Sequence, residues 1–429
     1  MKAAIYTLGC KVNQYETQEM ISSLKNSGFT VVDTKENADI YIINSCTVTA
    51  ESSRKTRQAV RRFRSDNPDA VIVLTGCFSQ AFKDEAIALH EADIILGNKT
   101  NSSLIEKIEE YMKHCSRIID IVPHNRNDTY KGLSINSFEG HTRAFIKIQD
   151  GCNRYCSYCI IPKARGFSRS RPLDDIKKEI EKLASLGYKE IVFVGINLSS
   201  YGLDNGTSIC DALQIAEETS GIERFRLGSL EPDHITDEVI ERLAEMKKFC
   251  PQFHLSLQSG SNKILKRMNR HYTAEEYFEL CEKLKLTFKD ISLTTDIIVG
   301  FPGETEEDFN ETLSFAKKCE FMKVHVFPFS PREGTPAYNY PDKIQNSIKN
   351  NRCAVLQKEC DKIRKSFMDT YVGKTVNVLF ETPKGKLQQG YTENYTPVFA
   401  VSDENLCGKI IPVKISEICE NGCKGTIEK

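Results

Sequence analysis

The sequence predicts an α/β protein of three units: a parallel-sheet α/β domain, a partial (β/α) barrel and a small all-β barrel. Three observations lead there. The first third alternates short β-rich runs with amphipathic helical stretches, the pattern of a parallel sheet. The middle repeats that alternation six times, as a full or partial barrel requires. After Gly373 the helices stop, and β-branched runs joined by turns take over. At 429 residues the chain is too long for one ordinary core. The expected limits are 1–135, 141–370 and 371–429, with the polar stretch "VPHNRNDTYKGLSINSFEGHT" as the first linker.

In the first unit the strands are "AAIYTLGC", "IYIINSC" and "VIVLTGC", and each ends on a cysteine: Cys10, Cys46 and Cys77. Helices "NQYETQEMISSLKNSGF" and "SSRKTRQAVRRFRSDNP" lie between them, the second stopping at Asn67 before Pro68. Parallel strands put sites at their carboxyl ends, so the three cysteines share one edge. Either they converge there or they are three separate strand-end residues. The second unit contributes "RAFIKIQ", "EIVFVG", "RFRLGSL", "FHLSLQS", "LTTDIIVG" and "KVHVFPF", separated by helical stretches such as "PLDDIKKEIEKLASLG", with proline in its first turn and glycine at its close. A long charged helix, "DKIQNSIKNNRCAVLQKECDKIRKSFMDTYVG", leads to the last unit, with strands "KTVNVLFET", "LQQGYTENYTPVFAV" and "GKIIPVKISEI".

The formal net charge of −1 points to no nucleic-acid partner, so any basic surface is local. The apolar run near the N-terminus is too short for a signal peptide, and no stretch is long and apolar enough to span a membrane; a cytoplasmic, non-membrane protein is expected. The 16 cysteines do not read as a disulfide scaffold in so long a chain. Cys210, Cys250, Cys281, Cys319, Cys353 and Cys360 are scattered and are expected as small buried hydrophobes.

Cys152, Cys156 and Cys159 are different. They form CxxxCxxC directly after the first barrel strand, at the face where barrel chemistry sits. Structural zinc needs a closed shell of four ligands. His141 and Cys210 are the candidates for a fourth, and neither has motif spacing. Three thiolates on a four-iron cluster leave one iron open instead.

This motif resembles the cluster loop of radical S-adenosylmethionine enzymes. The words around it narrow the resemblance: "TLGCKVNQYE", "INSCTVT", "TGCFSQ", "RAFIKIQDGCNRYCSYCIIPKARGFSRSR", "SLEP", "LSLQSGS", "MNRHYT", "DIIVGFPGETEEDF", "HVFPFSPREGTPA" and "GYTENYTPV". Together they resemble the methylthiotransferase family over the whole chain, and "LGCKVNQYE" and "TENY" are similar to the branch acting on N6-threonylcarbamoyladenosine in tRNA. The resemblance implies a radical-SAM barrel, a radical-generating 4Fe–4S cluster on Cys152, Cys156 and Cys159, a second 4Fe–4S cluster on Cys10, Cys46 and Cys77 as the sulfur source, and S-adenosylmethionine both as methyl donor and as radical source. Hydrogen is then removed from carbon 2 of adenine and a methylthio group takes its place, a bond too strong for side-chain bases. An electron donor is required. The resemblance further implies cofactor contacts from Tyr158, Gly195, Asn197, Ser229, Glu231, Gln258 and Gly300, with Gly300 and Gly303 allowing close backbone approach. Related targets are isopentenyladenosine in tRNA and a ribosomal-protein aspartate. The reading from another class is a non-catalytic iron–sulfur RNA-binding protein, which needs neither an open iron nor barrel glycines.

For RNA, Arg54, Arg57, Arg61 and Arg64 recur on one helix face, opposite Ala59, Val60 and Phe63, spaced to track phosphates or simply to face solvent. Lys163, Arg165, Arg169 and Arg171 form a second basic cluster, which holds substrate or lines the barrel mouth. The C-terminal unit resembles the TRAM domain, an RNA-binding module: Lys374, Lys384, Lys386, Lys409 and Lys414 give basic points, and Tyr391 and Tyr395 either stack on bases or belong to the core.

Overall fold

The structure is a computed structural model and describes residues 1–132 and 142–428. His141 lies outside the described residues. The first unit is a six-stranded parallel sheet: β1 (Lys2–Thr7), β2 (Thr30–Val32), β3 (Ile40–Ser45), β4 (Val71–Gly76), β5 (Ile94–Leu96) and β6 (Ile118–Asp120), in the order β2-β1-β3-β4-β5-β6. The expected strands are β1, β3 and β4, which sit side by side in the middle. β2, β5 and β6 were not anticipated; three residues each, they are too short to show alternation.

Between them run α1 (Lys11–Asn26), α2 (Ala50–Asp66) and α3 (Cys77–Ala81). α2 begins at a capping box between Thr49 and Ser52 and ends with Asn67 as its C-cap, as Pro68 requires. All six residues of β3 are buried, because helices cover both faces of a parallel sheet.

The middle unit is a partial barrel of β7 (Arg143–Asp150), β8 (Arg169–Ser170), β9 (Glu190–Gly195), β10 (Arg224–Leu227), β11 (Ser229–Leu230), β12 (Gln252–Leu255), β13 (Ser292–Val299) and β14 (Lys323–Pro328). The expected strand "RFRLGSL" breaks at Gly228 into β10 and β11. The barrel wall therefore forms two sheets, β10-β9-β7-β8 and β11-β12-β13-β14, joined at the seam by a bridge from Phe225 to Phe249. Only the two-residue β8 runs antiparallel. The core between strands and helices holds Cys210, Cys281, Cys319 and Cys360, with Cys353 packed at its edge; Cys250 is buried too.

The last unit is a closed five-stranded barrel of β15 (Thr375–Lys384), β16 (Leu387–Tyr391), β17 (Pro397–Val401), β18 (Ile410–Cys419) and β19 (Gly422–Ile427), in the order β15-β16-β17-β19-β18 with β18 pairing back to β15. The long helix Asn346–Asp369 packs on β14 and carries the chain into this barrel, placing Met368 in its core.

Candidate active site

β1, β3 and β4 are adjacent and parallel, so the residues that follow them meet at one edge. Cys10 is the N-cap of α1, Cys46 follows β3, and Cys77 opens α3. A Cβ on Gly9 would lie 3.1 Å from the Cys46 Cβ, and one on Gly76 would press into the Ser45 backbone at 2.6 Å, so both glycines are needed for the turns that bring the thiols together. Arg165, fully buried, enters this edge from the barrel unit. Its Nε donates to Cys77 Sγ at 3.2 Å, and its other nitrogens bind Glu16 at 2.5 and 2.9 Å and Asn13 at 3.1 Å. Burial pushes the Cys77 thiol up to about 12 and raises that of Cys10, with Arg165 opposing both.

The second triad occupies the loop after β7. Gly151, at φ +74°, starts the loop where any Cβ would overlap the Phe167 carbonyl. Cys152 N–H donates to Gly166 O at 3.0 Å, Cys159 N–H to Cys156 O at 2.9 Å, and Ser157 N–H to Met268 O at 3.0 Å. Arg270 donates to Cys156 Sγ at 3.2 Å and is gripped by Glu231. Burial raises the Cys159 thiol and holds that of Cys152 up at about 11. Each triad therefore sets one buried guanidinium beside thiols that range from buried (Cys46, Cys77, Cys156) to exposed (Cys10), a donor set suited to a group that supplies positive charge and keeps thiolates. Among the described residues no three His, Cys, Asp or Glu side chains close around a single metal ion. A four-iron cluster spreads its ligands wider than one ion does.

Consecutive residues fix one triad against the other: Arg165 touches Cys77, and Gly166 accepts from Cys152. Nearby, a cavity of about 910 Å³ is walled by all three units, with Cys10 from the first, Gly195, Ser229, His254 and Asp296 from the second, and Tyr395 from the third.

Models of two families match the chain: "Radical SAM superfamily" over residues 146–316 and "Uncharacterized protein family UPF0004" over 2–97. The threonylcarbamoyladenosine tRNA methylthiotransferase MtaB of Bacillus subtilis (strain 168) is 39% identical over 421 residues, 96% of this chain and 93% of that protein. The family is thereby decided. The chain belongs to the radical SAM tRNA methylthiotransferases. A tRNA-2-methylthio-N(6)-dimethylallyladenosine synthase of Clostridium tetani (strain Massachusetts / E88) is also similar, 36% identical over 98% of this chain and 95% of its own. Among solved structures, the radical S-adenosylmethionine methyltransferase TsrM from Kitasatospora setae shares the fold with a TM-score of 0.57 at 14% identity, over 84% of this chain and 89% of that one.

In this methylthiotransferase the remaining expected site residues divide. Tyr158 lies within the cluster loop, directly before Cys159, and packs edge-on against Phe301 at 6.3 Å. Gly195 abuts Gln149, whose Oε1 accepts from Asn197 N–H at 2.8 Å; Asn197 Oδ1 is buried with no hydrogen-bond partner among the described residues. Ser229 is exposed to the cavity. Gln258 holds φ +71° between two backbone bonds to β13, a strained setting that orients its half-buried side chain. Two residues are placed otherwise than expected. The carboxylate of Glu231 pairs with Arg270, which in turn donates to Cys156, so it supports the cluster loop. The N–H of Gly300 is taken by Glu304, and a Cβ there would overlap Lys349 of the long helix, so the close approach it permits is to protein.

The basic clusters also change role. Arg165 and Arg171 are buried between the first two units rather than at a barrel mouth: Arg171 binds Glu179 at 2.5 Å and Tyr15 at 3.2 Å. Arg54, Arg57, Arg61 and Arg64 do share a face, and each faces an acid, Glu51, Glu85, Glu91 and Asp93 respectively. Arg64 also donates to the carbonyls of Pro68 and Ala70 at 2.6 and 2.8 Å and belongs to the scaffold. Tyr391 and Tyr395 stack on each other at 4.6 Å, with Arg143 and Arg226 over their rings, so they seal a domain seam. Sequence reasoning assigned no role to Arg270, although it lies in the word "MNRHYT", nor to the seam residues Arg143 and Arg226.

Proposed function

We propose that this tRNA methylthiotransferase converts N6-threonylcarbamoyladenosine beside the anticodon to its 2-methylthio derivative, using two 4Fe–4S clusters and S-adenosylmethionine in the cytoplasm, with an electron donor. The observation that supports this reading is the bridge at Arg165 and Gly166, which ties the loop of one thiol triad to Cys77 of the other. Cys152, Cys156 and Cys159 would hold the cofactor-cleaving cluster, and Cys10, Cys46 and Cys77 the sulfur-bearing one. When bound, these groups supply radical hydrogen abstraction and a methylated sulfur, chemistry no side chain offers.

The chain's own residues position and shield. Arg270 and Arg165, both buried, balance thiolate charge at Cys156 and Cys77. Asn197 offers its unpaired Oδ1 as an acceptor for a cofactor ammonium, and Ser229 and Gln258 supply polar contacts at the strand ends. Tyr158 closes one side of the cluster loop with its ring. The outer faces of Arg54, Arg57 and Arg61, with the C-terminal barrel as a TRAM-like unit from residue 371, give the tRNA its phosphate contacts.

Mass spectrometry of tRNA nucleosides from a deletion strain tests the substrate: loss of 2-methylthio-N6-threonylcarbamoyladenosine is expected, and loss of the isopentenyl counterpart instead would reassign it. Replacing Cys10, Cys46 and Cys77 by alanine tests the two roles. About half the iron should remain, with cofactor cleavage retained and methylthio transfer lost. Methylthiolation by a folded mutant would place the sulfur elsewhere.

A further inference from the structure

The walls of the large cavity carry an unbalanced charge. Asp296 is the one acid among its lining residues, and it faces His254 Nε2 at 3.4 Å. Three cations line the same space: Lys11, Lys323 and Arg364. Arg364 donates to the Asn421 carbonyl at 3.1 Å. Lys323 opens β14 and so sits toward the amino ends of the barrel strands, away from the catalytic face. Lys11 directly follows Cys10 and has no carboxylate partner among the described residues; its recorded contact is with the Phe145 ring, 6.0 Å from Nζ. The nearby guanidiniums of Arg143 and Arg226 are already matched by Glu381 and Glu190, at 2.5 and 2.6 Å. Lys11 is thus a cation with no ion-pair partner among the described residues, beside the Cys10 thiol that follows β1.

We infer that Lys11 reads the carboxylate of the N6-threonylcarbamoyl group and thereby selects this substrate over adenosines with a neutral N6 substituent. The inference rests on the substrate reading above. Carbon 2 and the N6 position flank N1 on one edge of the purine. A nucleoside that turns carbon 2 toward the Cys10 side therefore carries its N6 substituent along the same wall, where Lys11 lies. A carboxylate there gains a charge-assisted hydrogen bond in a partly desolvated cavity, and an isopentenyl group leaves the ammonium unpaired. A site built around a polar partner rejects the analogue that lacks it more strongly than a hydrophobic pocket rejects an added group.

The test uses the reconstituted full-length protein and anticodon stem-loop RNAs carrying N6-threonylcarbamoyladenosine, its methyl ester, or N6-isopentenyladenosine. The readout is the dissociation constant, measured beside iron content. Wild-type protein is expected to bind the acid about tenfold or more tightly than the ester. Lys11→Met keeps the stem over Phe145 and should bind acid and ester alike, at the wild-type ester affinity; Lys11→Arg should restore the preference. If Lys11→Met weakens all three RNAs equally at unchanged iron content, the ammonium contacts a backbone phosphate and the inference falls. An acid–ester preference that survives Lys11→Met also overturns it. If wild-type protein modifies the isopentenyl RNA and not the threonylcarbamoyl RNA, the substrate reading itself has failed.

Discussion

Arg165 serves two masters at once: its guanidinium neutralises Glu16 and faces the Cys77 thiol, and it is wholly enclosed. Removing Arg165 takes away one of two buried cations on Glu16, since Lys147 stays at 2.8 Å, and strips a donor from the Asn13 side chain. Arg165→Met should therefore cost about 1–3 kcal/mol in urea unfolding. It should also lower the iron held after reconstitution more than Arg165→Lys does. Gly151 sets a different kind of limit. Its φ of +74° and the overlap of any Cβ with the Phe167 carbonyl leave no room for a side chain. Gly151→Ala should displace the CxxxCxxC loop and reduce the iron bound to that triad, measured in a background lacking Cys10, Cys46 and Cys77. Wild-type iron at that triad would show that the loop tolerates the shift.

At the scale of one element, α2 separates arginines that look equivalent in sequence. The Arg54–Glu51 pair is more than half exposed on both sides, and such pairs contribute at most about 1 kcal/mol, so a phosphate can replace the acid. Arg57 and Arg61 pair with Glu85 and Glu91, and each pair has at least one half-buried member, so a phosphate exchanges for these acids less freely. Changing Arg54, Arg57 and Arg61 together to glutamine should weaken tRNA binding and make the salt dependence shallower by about 2–3 in log–log slope. Arg64→Gln should leave that slope alone and lower stability by about 1–3 kcal/mol, since it unpairs Asp93 and two carbonyls. Equal effects of the two variants on tRNA binding would remove α2 from the RNA surface.

At the scale of the whole molecule, Glu190 ties the units together. It lies at the start of β9, fully buried, and holds Arg224 at 2.5 Å and Arg226 at 2.6 Å. Those arginines donate onward to the carbonyls of Tyr391 and Glu393 in the C-terminal barrel, both at 3.0 Å. Burial opposes the ionisation of Glu190, but the surrounding guanidiniums outweigh it and hold the carboxyl down at about 2. A depressed acid contributes stability above its unfolded value, near 4.5, and that contribution fades as pH falls from there through about 2. Urea unfolding followed by circular dichroism at stepwise pH should show this acid-side loss. Glu190→Gln should be less stable at pH 7 and show a flatter acid limb. An unchanged acid limb in the variant would mean that other carboxylates govern it.

The sequence by itself determined the three units, the middle strands of the first sheet, the breaks at Pro68 and Gly373, and both cysteine triads as features of strand ends. These are local facts: periodicity, turn residues and short spacing act within a few turns of chain, and parallel topology alone sends Cys10, Cys46 and Cys77 to one edge. The tertiary structure alone decided what each charged residue faces. Arg165 and Arg169 are neighbours in a basic run, yet one lies under the N-terminal thiols and the other on Asp150, because the loop that carries them crosses between two units. Tyr391 and Tyr395 carry the same aromatic signal as a base-stacking pair, and only the seam with Arg143 and Arg226 shows what they cover. Glu231 likewise turns to Arg270, thirty-nine residues away. Charge pairing is non-directional along the chain and is settled by whichever opposite charge packing brings near, so it leaves no period or motif to read.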